Sequence, residues 1–133
     1  MLLGLDLWRR AESDHREADY DQARAWALTR LGLLYHNALG VERDANAAAQ
    51  WWRKAALLDD ADGQAMLGAA HHLGAGVERD RVAALAWLTR ARAARNQFAD
   101  RFYVAVRESC SPQEGREAER HANLPLEAVE VPR

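Results

Sequence analysis

Leu31–Ala55 reads LGLLYHNALGVERDANAAAQWWRKA, and the chain writes it a second time as Leu67–Ala91, LGAAHHLGAGVERDRVAALAWLTRA, 36 positions further on. Leu31-Gly32, His36, Gly40-Val41-Glu42-Arg43-Asp44, Ala47-Ala48, Trp51 and Ala55 fall on Leu67-Gly68, His72, Gly76-Val77-Glu78-Arg79-Asp80, Ala83-Ala84, Trp87 and Ala91. A period in the mid-thirties marks a helical repeat, in which one helix pair cannot bury its own apolar face and must stack on a neighbour. The expected fold is therefore all-α, a short solenoid of helix-turn-helix repeats. Solenoids present surface rather than a catalytic pocket, so the repeat points to a binding module.

Within each copy the elements can be placed from spacing and end signals. Ala23, Trp26-Ala27, Leu31 and Leu34 recur at three and four residues, which puts them on one face of a first helix. That helix is expected to end near Asn37, with Gly40 following to let the chain turn. Asp44 is a natural N-cap for a second helix from Ala45 to Leu58, with Val41 tucked against it. Ala47, Ala48, Trp51, Ala55 and Leu58 make its expected buried stripe. In the second copy Ala65, Leu67-Gly68, His71 and His72 stand on the first helix and Gly74-Ala75-Gly76-Val77 forms the turn. Asp80 is the cap, and Ala84, Trp87, Leu88 and Ala91 line the second helix. The alanines and the Gly32/Gly68 pair predict close approach of helix axes, with Trp51 and Trp87 filling the gaps.

The ends depart from this pattern, as terminal units with a polar outer face must. Trp8-Arg9-Arg10-Ala11 resembles Trp52-Arg53-Lys54-Ala55, which suggests the second helix of a partial repeat. Phe98, Phe102 and Val106 have helical spacing, and Ser111-Pro112-Gln113-Glu114 is a strong start signal for a last helix to about Asn123. From Leu124 onward, Pro125 and Pro132 predict an extended or mobile tail. The expected organisation is one domain over 1–133: a cap or partial repeat at 1–24, repeat one at 25–60, repeat two at 61–95, capping helices at 96–123 and a tail at 124–133.

Composition narrows the partners. The apolar share of 49% over 133 residues is enough for a packed core. A formal charge of −2 with interspersed signs provides no basic field for nucleic acid. Cys110 is the only cysteine, so no internal disulfide is possible and no oxidising compartment is required. The opening Met1–Trp8 run is interrupted by Asp6 and lacks a preceding basic residue, so it reads as a helix start rather than a signal core. No stretch approaches the roughly 20 apolar residues of a membrane span. The expected location is cytoplasmic, or periplasmic had a signal peptide been removed.

The unit from Ala27 through Leu31-Gly32, Tyr35, Leu39-Gly40-Val41, Asp44, Ala48 and Trp51–Ala56 resembles the Sel-one-like repeat, a tetratricopeptide-related helix pair of about 36 residues. The second unit keeps Gly74, Gly76, Val77, Asp80 and Trp87 but carries His71 where the family usually shows Tyr. Ala38 replaces a customary Gly, which costs about 1 kcal/mol if that position needs a positive φ. The Leu88–Ala91 run, the Phe-bearing helix and the Ser-Pro-Gln-Glu helix also resemble the closing cap of many bacterial members, so the likeness runs from Ala25 to His121. It implies a right-handed superhelix whose first helices line a concave face, and an adaptor or scaffold role, often in signalling, secretion or envelope processes. The family's cysteine-rich secreted branch staples each helix pair with a disulfide, and this chain lacks the residues for that.

Chemical sites are weighed against simpler roles. His36, His71 and His72 invite a metal, but no carboxylate recurs with them at ligand spacing, and adjacent histidines on a helix point apart. His15 and His121 lie in polar stretches. Cys110 has no recognisable base or orienting partner. Glu42-Arg43-Asp44 and Glu78-Arg79-Asp80 read as helix caps and solvated turns rather than a partner ridge. No cofactor or metal is expected. The candidate partner-binding residues are those of the first helices that should face the concave side: Arg24, Leu28, Arg30, Leu33, Gln64, Ala69 and His72.

The expected function is a non-enzymatic protein-binding adaptor that docks a segment of another protein, with a few apolar anchors and rim charges setting specificity. An immunity or inhibitor protein against a co-encoded toxin is the alternative reading. A hydrolase lacks its nucleophile elbow, paired carboxylates or metal set here. Exposed end surfaces leave both a monomer and a homodimer open.

Overall fold

In the computed structural model residues 22–33 and 44–129 are described, and among them the chain is helical with no strand. Helix α1 covers 22–33. It is followed by α2 (Ala45–Leu57), α3 (Ala61–Leu73), α4 (Arg81–Ala93), α5 (Gln97–Ser109) and α6 (Pro112–Ala122), and by a 3-10 turn at Leu126–Ala128. Trp8, Leu34, Tyr35, His36, Asn37, Ala38, Gly40 and Val41, with the expectations attached to them, lie outside the described residues.

A step of 36 residues carries α2 onto α4 and α3 onto α5, end for end. The local chemistry repeats with it. Asp44 and Asp80 cap α2 and α4 from nearly the same conformation (φ −143°, ψ 99° and φ −145°, ψ 106°), each carboxylate accepting from the amide three residues on. Asp60 and Asn96 cap α3 and α5 in the same manner. Each also reaches back to the preceding unit's first helix: Thr29 Oγ1 donates to Asp60 at 2.6 Å, and Asn96 Nδ2 donates to Asp62 at 2.6 Å. The residue before each cap, Asp59 and Arg95, takes a left-handed conformation (φ 63° and 62°), which closes the previous helix and folds the chain back within one residue.

Where the two helices of a unit meet, one side is reduced to glycine. A Cβ on Gly32 would collide with the Trp52 indole, and one on Gly68 would lie 2.8 Å from Leu88 Cγ and 3.1 Å from the Ala84 carbonyl oxygen. These two contacts are again 36 residues apart, so a large side chain on the second helix faces a bare backbone on the first. Trp52 is also held by polarity, because its indole N–H donates to the Thr29 carbonyl at 3.3 Å. At the third equivalent position stands Val104, which is 57% exposed. There α5 and α6 are joined through Cys110 and Ser111 alone, so α6 follows too soon to occupy the second-helix position and packs on α4 instead. Its start is the expected capping box: Ser111 Oγ accepts from the Glu114 amide at 3.1 Å, and the Glu114 carboxylate accepts from the Ser111 amide at 2.9 Å.

The turn between α3 and α4 is a second fixed point. Gly74 closes α3 in the left-handed region (φ 68°), and Gly76 (φ 76°) lies so close to the Ala45 carbonyl that any side chain there would overlap it. The turn of one unit is thereby seated on the start of the preceding unit's second helix. The Asp80 amide donates to the His71 carbonyl at 3.1 Å and ties the end of the turn back to α3.

Two apolar clusters result. One joins Ala65, Ala84, Leu85, Leu88 and Ala91 to Ala99, Val106 and Ala118, with Phe98 and Phe102 packed against it. The other joins Ala48, Trp52, Ala56, Leu67, Ala70 and Trp87, with Leu33, Met66 and Val77 against it.

The buried stripes of the first unit are rotated from the expected ones. On α1 the buried residues are Ala25, Leu28, Thr29 and Gly32, while Ala23, Trp26 and Ala27 are exposed. On α2 they are Ala48, Ala49, Trp52, Ala55 and Ala56, leaving Ala47, Trp51 and Leu58 half-buried. The physical reason is the Gly32–Trp52 contact, which turns Trp52, and not Trp51, into the seam. The second unit follows the expected stripe, with only His72 half-buried. The tail also differs from expectation. Leu126 and Val129 pack against the second cluster, and the Arg90 guanidinium donates to the carbonyls of His121 and Leu124.

Trp52→Ala is expected to lower stability by about 3–5 kcal/mol, and Trp51→Ala by less than half of that; thermal or urea unfolding followed by circular dichroism measures both. Gly68→Ala is expected to destabilise by about 1–3 kcal/mol, because the added methyl meets Leu88 and a backbone carbonyl that cannot both withdraw. The same unfolding assay reads it.

Candidate functional site

The surface with the best claim to partner binding is built from the first helix of each unit. The 36-residue step aligns Trp26 with Asp62 and Phe98, Arg30 with Met66 and Phe102, and Leu33 with Ala69 and Ala105. Spacings of four and three along each helix keep every set of three on one side of it. On α1 that side is open: Trp26 is 58% exposed, and the Arg30 guanidinium lies 5.2 Å from its ring centroid. On α3, which packs against α2, α4 and α5, only a narrow strip remains, with exposed Asp62 at one end, half-buried Met66 in the middle and Leu73, 65% exposed, at the other. On α5, the Phe98 and Phe102 rings meet in a tilted contact with centroids 5.0 Å apart and turn inward, while Ala105 is exposed.

Of the residues expected to face a partner, Arg24 and Arg30 are exposed. Between them α1 carries two cations and no carboxylate over 22–33. Leu33 and His72 are half-buried; the His72 ring meets Phe102 edge-on at 6.3 Å, and its Nδ1 is buried without a hydrogen-bond partner among the described residues. Leu28, Gln64 and Ala69 are buried and offer no free surface. Gln64 is the instructive case. Its amide donates to the Ala56 carbonyl at 3.2 Å and to Asp59 at 3.3 Å, so this polar side chain joins the end of α2 to α3. The residues that the spacing argument passed over are Trp26, Met66 and Leu73. The alignment of Trp26 with Asp62 was the available signal for the first two units, although Phe98 at the same position of the third turns inward.

The titratable groups have structural roles. His71 is buried, and its Nδ1–H donates to the Glu78 carbonyl at 3.1 Å, joining α3 to the turn. Burial holds its protonated form below the ordinary imidazole range, assisted by the nearby Arg53 cation, against the opposing pull of the Glu78 carbonyl and Asp80. Cys110 is pushed up by burial and by the Glu114 carboxylate, which favours the thiol over the nucleophilic thiolate. Among the described residues no group of three or more His, Cys, Asp or Glu side chains could hold a metal ion.

Comparison with known proteins agrees with the repeat. The Sel1 repeat model matches residues 27–60 and 61–96. Among solved structures, the chain is similar to c5321, a protective antigen of uropathogenic Escherichia coli strains displaying an SLR fold, at 30% identity and a TM-score of 0.70 over 74% of this chain and 21% of that one. It is also similar to a Sel1 repeat protein from Oxalobacter formigenes, at 27% identity and a TM-score of 0.61 over 90% of this chain and 53% of that one. The chain thus spans about a fifth and about half of the lengths of these two structures. No curated protein matches.

The direction of the His71 shift sets a pH dependence. A base whose folded pKa is depressed keeps its stabilising contribution above its unfolded value, near pH 6.5, and loses it as the pH falls toward the folded value. The melting temperature is expected to fall as the pH is lowered through that window, and less steeply in His71→Gln. Parallel curves for the two proteins would assign the acid sensitivity to other groups.

Proposed function

The chain belongs to the Sel1 repeat family, and from that premise we propose that it is a non-enzymatic protein-binding module that seats one segment of a partner protein across α1 and α3. The observation that carries this reading is Trp26, which stands 58% exposed on the first helix with Arg30 over its ring. An aromatic ring presented to solvent beside a guanidinium is the kind of anchor on which protein interfaces concentrate their binding energy. Met66 and Leu73 continue an apolar strip along α3, and Asp62 closes one end of it with the opposite charge. The segment would meet apolar contacts along the strip and cations along α1, so carboxylates at one edge of the partner complement Arg24 and Arg30.

No helix among the described residues is long and apolar enough to cross a membrane. The surfaces on α1 and α3 rest on backbones held by the Asp60–Thr29 and Asn96–Asp62 hydrogen bonds. A partner therefore docks on a pre-formed face and need not order it, which conserves affinity otherwise lost to immobilisation.

Charge reversal of both Arg24 and Arg30 to Glu is expected to weaken partner capture at least about tenfold, while the circular dichroism spectrum stays that of the parent. Affinity purification with quantitative mass spectrometry compares the two proteins. Equal recovery of the same partner would remove this face from the function.

A further inference from the structure

The second helices carry a ring–cation pair that recurs at the repeat interval. Lys54 lies over the ring of Trp51 with its ammonium 4.8 Å from the centroid, and Arg90 lies over Trp87 at 5.7 Å. The two pairs are 36 residues apart and occupy the same positions of α2 and α4. In the second unit the pair has an occupant. Arg90 donates to the carbonyls of His121 and Leu124, at the end of α6, and the tail that follows sets Leu126 and Val129 against the cluster to which Trp87 belongs. Trp87 is 8% exposed as a result of its surroundings, whereas in the first unit Trp51 is half-buried and Lys54 exposed.

We propose that the Trp51–Lys54 ledge on α2 is a second docking site, and that it takes a protein segment of the same chemistry as the chain's own tail: the C-terminal end of a helix, whose last carbonyls keep a lone pair for an outside donor, followed by a short turn that carries two apolar side chains. The chemistry is complementary on both counts. A helix C-terminus presents partial negative charge on its last carbonyls, which the Lys54 ammonium would meet as the Arg90 guanidinium meets those of His121 and Leu124. The Trp51 ring supplies a flat apolar surface for the residues after the helix, and the cation stacked on it holds the ring in place. The ledge lies on a different helix from Arg24 and Arg30, so its occupant and that of the first-helix face can bind together.

The probe is a fluorescein-labelled synthetic peptide spanning residues 112–133 of this chain, which contains α6 and the tail, titrated with the full chain and read by fluorescence anisotropy. Saturable binding is expected, weakened at least about tenfold by Lys54→Glu and by Trp51→Ala, and unchanged in the Arg24→Glu/Arg30→Glu double variant. Lys54 is exposed, so its substitution keeps the test valid if Trp51→Ala unfolds the protein. Absence of binding, or equal binding by the parent and Lys54→Glu, would overturn the proposal. So would binding lost only in Arg90→Ala, since the peptide would then be exchanging with the chain's own tail on α4.

Discussion

The contact of a large side chain with a bare glycine backbone, made once in each unit, is the constraint from which the rest of the structure follows. Trp52 against Gly32 and Leu88 against Gly68 let the two helices of a unit approach until backbone and side chain touch. That approach determines which side of each helix is buried. It also decides which side is left for a partner. The contacts recur at the repeat interval, but the exposed sides recur only in part: Trp26 and Arg30 are exposed on α1, whereas their counterparts on α3 are the exposed Asp62 and the half-buried Met66. Polar groups complete the arrangement at the edges: the caps Asp60 and Asn96 each bind the preceding unit's first helix, and Gln64 bridges α2 to α3 from a buried position. Each of these groups is satisfied within the fold, which is the condition for burying it.

The third unit shows what happens when the constraint is absent. Helix α5 keeps the register of α3, including its cap and the left-handed residue before it, yet the glycine is Val104 and the connection to α6 lacks the Gly-x-Gly-Val turn. With a side chain at the contact position and too short a link, no second helix closes over α5 among the described residues. Helix α6 packs on α4 instead, and the tail crosses back to the second cluster. The same fold therefore seats the chain's own tail on α4, held by a cation at the carbonyl end of a helix.

Much of this was legible in the residues themselves. The repeat, the all-helical class, the Asp44 and Asp80 caps and the Ser111–Glu114 capping box depend on chemistry within a few residues, and each reads directly. The buried face of the second unit reads correctly too, because Trp87 and Leu88 are both buried, and both were expected on that face. In the first unit two adjacent tryptophans left the face open by about 100°, the rotation of one residue along a helix. A polar residue at 64 and an apolar one at 26 each argued for the wrong environment.

By itself the sequence determined the period, the helix starts and that Cys110 has no second cysteine within these residues to pair with, since these follow from local hydrogen bonding and from composition. The tertiary structure alone decided that Trp52 and not Trp51 enters the seam, that Gln64 is buried while Trp26 is exposed, and that the proline-bearing tail is docked. Those outcomes depend on which backbone lies opposite each side chain, and a residue's own chemistry carries no record of that.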